Sequence, residues 1–72
     1  MRTPEYINRR DIRPITPGVI GAIAAIIARD GLDLDGARDR NYVEGFRVDG
    51  YSHRLRQPQL IEAFRTSLTR AA

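Results

Sequence analysis

Arg47-Val48-Asp49-Gly50-Tyr51-Ser52-His53-Arg54-Leu55-Arg56-Gln57-Pro58-Gln59-Leu60-Ile61-Glu62-Ala63-Phe64 joins a tight chain reversal directly to an amphipathic helix. Asp-Gly between two alternating segments is a strong hairpin signal, because both turn residues of a type I′ loop need positive φ, which Asp tolerates and Gly prefers. A two-residue loop pairs Val48 with Tyr51. Outward from there the pairs are Arg47 with Ser52, Phe46 with His53, Gly45 with Arg54, Glu44 with Leu55 and Val43 with Arg56. Side chains alternate across a strand, so Tyr42, Phe46, Val48, Tyr51 and Leu55 fall on one face and Arg47, Arg54 and Arg56 on the other. One face of the expected ribbon is apolar and the other cationic.

Working outward, three sites combine a helix cap with a proline at the first helical position, where its missing N–H is not needed: Thr3-Pro4, Thr16-Pro17 and Gln57-Pro58. The first would open a short helix from Pro4 to Asp11. The second opens a helix from Pro17 to Arg29, closed by Gly31 just past its end. Asp33 caps a short helix to about Arg40, with Gly36 inside it. The last helix is expected from Pro58 to Arg70, with Leu60, Ile61, Phe64 and Leu68 on its apolar stripe. The expected class is therefore α+β: a small winged-helix-like domain of helix, turn, short helix, two-stranded antiparallel hairpin and C-terminal helix. Residues 16–72 form the compact unit, and residues 1–15 form an N-terminal arm or short helix.

From Val19 to Ala28 no side chain is polar, so no face of that helix is designed for water. Ten residues are far too few for the roughly 20 that span a bilayer, so no membrane segment is expected. Two arrangements would cover the helix. Either the hairpin and the other helices flank it, or Ile20, Ile23 and Ile27 face a second subunit or partner, which makes a homodimer the expected state.

The chain has 72 residues, enough for one small domain that buries about 60% of its unfolded surface. It has no cysteine, which removes disulfides and Cys-type zinc sites and is in keeping with a reducing, cytoplasmic setting; no signal peptide is recognisable. All twelve of its basic residues are arginine, against nine acidic ones, for a net charge of +3. Arginine's planar fork matches phosphates, guanine edges and carboxylates. The acidic turn 30–36 does not fit a calcium loop: with Gly36 at the sixth position, Gly31 falls at the first and Tyr42 at the twelfth, where a carboxylate and a bidentate Glu belong. The one histidine, His53, falls opposite Phe46 on the apolar face, where it packs. No catalytic constellation, metal site, cofactor or small-molecule substrate is expected.

Arg47, Arg54 and Arg56 on the hairpin are placed to straddle a phosphate backbone, and Arg38 and Arg40 on the short helix to reach a major groove, although Asp33, Asp35 and Asp39 on that helix oppose phosphates. Arg9, Arg10 and Arg13 would form a minor-groove arm or keep the terminus solvated.

Arg47-Val48-Asp49-Gly50 followed at the same separation by Ile61-Glu62-Ala63-Phe64, with Ile15-Thr16-Pro17 ahead of the first helix and Tyr42-Val43 after the second, resembles the small winged-helix proteins of the phage excisionase and AlpA-like group, relatives of the MerR-type DNA-binding domain. The resemblance implies a non-enzymatic DNA-binding protein of phage or mobile-element type, excisionase- or repressor-like, with Arg38 and Arg40 on a recognition helix and Arg47, Arg54 and Arg56 on a wing. The alternative reading is a phage-encoded inhibitor or adaptor that docks on a host protein.

Overall fold

A computed structural model describes residues 14–71. The Thr3-Pro4 cap, the expected helix to Asp11 and the arm arginines Arg9, Arg10 and Arg13 lie outside the described residues.

The chain runs α1 (Pro17–Asp30), α2 (Leu34–Val43), β1 (Phe46–Val48), β2 (Tyr51–His53) and α3 (Gln57–Ala71). This is the α+β, winged-helix-like order expected. Each helix starts for a local reason. Thr16 Oγ1 accepts from the Val19 N–H at 3.2 Å, with Pro17 following it. Asp33 Oδ1 accepts from the Gly36 N–H at 2.7 Å. At α3 the Gln59 side chain reaches back to accept from the Arg56 N–H at 3.0 Å, the return half of a capping box. The end of α1 is closed by two overlapping bonds, Gly31 N–H to the Ala28 carbonyl and Leu32 N–H to the Ile27 carbonyl.

The hairpin has the expected register, Val48 with Tyr51, Arg47 with Ser52 and Phe46 with His53, around a turn in which Asp49 (φ 53°) and Gly50 (φ 85°) are both left-handed. Its length differs from expectation. The ladder stops at Phe46 and His53, and the pairs of Gly45, Glu44 and Val43 with Arg54, Leu55 and Arg56 are not formed. Instead α2 continues one turn beyond Arg40. The reason lies in Asn41, whose side-chain amide donates to the Leu55 carbonyl at 3.0 Å and accepts the Leu55 N–H at 2.8 Å. That amide supplies to Leu55 the two bonds a partner strand would have made, so the segment remains helical. Tyr42, expected on the apolar hairpin face, therefore projects from α2 with 82% of its surface exposed.

The core comprises Ile20, Ile23 and Ile27 of α1, Ala37 of α2, Phe46 of β1, Leu55, and Leu60 and Ala63 of α3. α1 packs along α3 and against β1. The isoleucines expected at a subunit seam are thus interior residues of the chain's own core, Ile23 fully so. The stripe on α3 is also rotated from the one expected. Leu60, Ala63 and Ser67 are buried, Ile61 and Phe64 are half-buried, and Leu68 is exposed. Ala24 of α1 and Ala63 of α3 are both fully buried, and Ser67 tolerates burial because its hydroxyl donates to the Phe64 carbonyl.

Between α2 and β1 stands Gly45 (φ 76°), where a Cβ would meet the His53 carbonyl oxygen at 2.8 Å and Ser52 Oγ at 2.7 Å. At Gly50 (φ 85°) a Cβ would meet nothing within 4 Å. Gly50→Ala is therefore expected to cost only backbone strain, about 1 kcal/mol, while Gly45→Ala adds a clash with backbone and costs about 3 kcal/mol. Urea denaturation of the two variants checks the difference; equal losses would refute the packing assigned to Gly45.

Candidate nucleic-acid interface

The hairpin turns Arg47 and Ser52 outward, opposite the face that carries Phe46 and His53 into the core. The C-terminal ends of α1 and α2 lie beside this outward face. Together they line a cleft of about 260 Å³, with Ile26 and Arg29 from α1, Arg40 and Glu44 from α2, Arg47 and Ser52 from the hairpin, and Gly45 and Phe46 between them. Three guanidinium groups therefore border one concavity.

Each is anchored locally. Asp30, the last residue of α1, accepts at Oδ1 from Arg29 Nε at 2.9 Å and at Oδ2 from both Arg29 Nη2 at 3.3 Å and Arg40 Nη1 at 3.1 Å. Arg40 also lies 3.7 Å from Glu44. Arg47 Nη1 donates to the Gly50 carbonyl at 3.1 Å, which holds its side chain along the turn. Ser52 Oγ donates to the Glu44 carbonyl at 2.7 Å. Arg54 stands beside the cleft: its Cγ would lie 3.3 Å from a Cβ on Gly45, and its Nη2 donates to the Val43 carbonyl at 3.0 Å, satisfying an end-of-helix acceptor of α2.

Of the five arginines expected to meet nucleic acid, Arg40 and Arg47 line the cleft and Arg54 adjoins it. Arg38 and Arg56 are not among its lining residues. Arg38 is exposed on α2 and sits 3.8 Å from Asp35, while Arg56 is exposed ahead of α3. Arg40 is half-buried and bound to carboxylates on two sides, an arrangement that fits anchoring better than base readout. Arg29 was not singled out from the sequence. Its one signal is its place in the last turn of α1, where a cation offsets the helix dipole; the approach of that turn to α2 arises only from packing.

On the opposite side of the hairpin, Pro14, Val19, Val48, Asp49, Tyr51 and His53 line a shallow groove. His53 is only 5% exposed and contributes to this apolar side. Among the described residues no helix is long and apolar enough to cross a membrane. Comparisons with family models, with curated proteins and with solved structures find no match for this chain.

The Asp30 carboxyl is held below the usual carboxylate range, chiefly by its hydrogen bond from Arg29 and next by that from Arg40. Such a lowered value means that the pairing stabilises the fold fully above the pKa Asp30 has in the unfolded chain, and that this contribution is lost as pH falls through the lower folded value. Acid titration of urea midpoints should therefore show a steeper loss for the natural chain than for Asp30→Asn in that acidic window; parallel curves would contradict the assignment.

Proposed function

We propose that this protein binds duplex DNA through phosphate contacts made by the outward face of its hairpin and the adjoining cleft, in the manner of the excisionase-like winged-helix proteins that its sequence resembles, and that it works in the cytoplasm. The observation that carries this reading is the convergence of Arg29, Arg40 and Arg47 on one cleft, with Arg54 alongside. A concave surface bearing several guanidinium forks suits a phosphate backbone, and such contacts fix position and orientation without reading bases. The chemistry of α2 agrees with that division of labour. Arg40 is engaged by Asp30 and Glu44, Arg38 stands beside Asp35, and Asp39 is exposed nearby, so the helix offers little uncompensated positive charge to a major groove.

A second reading, docking on a host protein as an inhibitor or adaptor, draws on Tyr42 and Val43, adjacent at the end of α2 and both largely exposed. Apolar side chains left outside a small core are the material of a protein contact.

Fluorescence anisotropy with a labelled duplex over a salt series separates the two. Binding by phosphate contacts should weaken linearly in log affinity against log salt, with a slope of roughly −0.9 per contact. Arg47→Ala should reduce that slope by about one contact, and Arg38→Ala should leave it unchanged. Absence of binding at low salt would remove the DNA reading and leave the protein-docking one.

A further inference from the structure

Asp30 occupies an unusual place for an acid. As the last residue of α1 it sits at the negative end of the helix dipole, which disfavours a carboxylate. It is held there by two guanidinium groups, Arg29 from its own turn and Arg40 from ten residues further on, which between them take up both of its oxygens. Two guanidinium forks closing on one oxyanion is also how proteins grip a phosphate. Both of these arginines line the cleft, and Arg47 lines it from the hairpin side. Arg29 is 70% exposed at its side chain, so solvent reaches the pair and it opens readily.

We infer that Asp30 is a resident stand-in for phosphate: its carboxylate occupies Arg29 and Arg40 in the free protein, and a backbone phosphodiester entering the cleft displaces it and takes over both guanidinium groups together with Arg47. This rests on the DNA reading for its ligand and adds a regulation to that site. Two of the three lining guanidinium groups are thus occupied by a carboxylate that is not itself a lining residue, and Glu44, which is, adds a second carboxylate to Arg40, so this pair is shielded from weak or single anions and is released only to a ligand that also engages Arg47 and the hairpin. No covalent step is involved; one oxyanion exchanges for another.

The test compares the natural chain, Asp30→Asn, Asp35→Asn and the double variant Asp30→Asn/Arg40→Ala, each checked for a native amide spectrum by NMR. Asp35→Asn changes net charge equally but lies beside Arg38, outside the cleft. Each protein is titrated with inorganic phosphate, read from arginine Nε–Hε and residue 45–47 amide shifts, and with a labelled duplex, read by anisotropy. Removing one unit charge a few ångströms from the bound anion is expected to tighten both ligands about fivefold in Asp30→Asn. The Asp35→Asn protein should change little, and the double variant should lose the gain. Equal affinity of Asp30→Asn and the natural chain, or an equal gain in Asp35→Asn, overturns the inference; if the duplex still binds with its salt slope reduced by Arg47→Ala, the wider DNA reading survives that failure. Conversely, a cleft that takes phosphate more tightly in Asp30→Asn alone, in a protein that binds no duplex, upholds the exchange at Asp30 and removes the DNA reading.

Discussion

The end of α2 and the start of the hairpin, two walls of the cleft, are joined by the junction at Gly45. The backbone there is left-handed and pressed against β2, with no room for a Cβ beneath the His53 carbonyl. Just before it, the Glu44 and Gly45 N–H groups both donate to the Arg40 carbonyl and close α2, while the Ser52 hydroxyl donates to the Glu44 carbonyl from across the hairpin. The next residue, Phe46, is then directed into the core, and alternation along the strand turns Arg47 outward. A residue with a side chain at this junction would have to shift either the end of α2 or the start of the hairpin, and with them the two walls of the cleft.

The cleft lies where two helices end, and this bears on how its charge is used. Carbonyl-rich C-termini attract cations, and α1 and α2 both present such ends here. Arg54 answers that demand directly at the Val43 carbonyl, whereas Arg29 and Arg40 are engaged by the side-chain carboxylate of Asp30. The positive charge of the cleft is thus partly structural, engaged by a carbonyl and by carboxylates of the chain itself.

Local chemistry made much of the fold legible from the sequence. The Asp49-Gly50 turn, the Thr16-Pro17 start, the Gly31 stop and the Asp33 cap are decided within a few residues of themselves, and each stands in the structure as read. The segment Asn41-Tyr42-Val43 was less tractable because its pattern suits a strand as well as a helix; the deciding bonds run from Asn41 to Leu55, fourteen residues away. The buried stripe of α3 depends on packing in a similar way. Leu68 fits a core position by spacing, yet the buried positions are Leu60, Ala63 and Ser67, two of them small and favourable only once a neighbour is close. At the site, Arg47 follows from hairpin register, whereas Arg54 lies past the end of the ladder and is held by the Val43 carbonyl, and Arg29 enters through packing of the helix ends.

α1 posed the sharpest puzzle in the sequence, a helix with no polar side chain from Val19 to Ala28 in a chain too short to surround it easily. Its resolution lies in the size of the residues on each side. The bulky Ile20, Ile23 and Ile27 are all directed into the core, so the large apolar areas are removed from water. The positions left partly open are mostly small, Gly21, Ala22, Ala25 and Ala28, with Val19 and Ile26 half-covered beside the two grooves. Glycine and alanine expose little apolar surface even when uncovered, and the hydrophobic penalty scales with area rather than with the number of apolar residues. An all-apolar helix therefore sits at the edge of a small domain without requiring a second subunit to cover its isoleucines. The uncharged side of α1 and the arginine-lined cleft at its C-terminal end are two consequences of one arrangement, in which bulk is spent inward and charge is gathered where the helices stop.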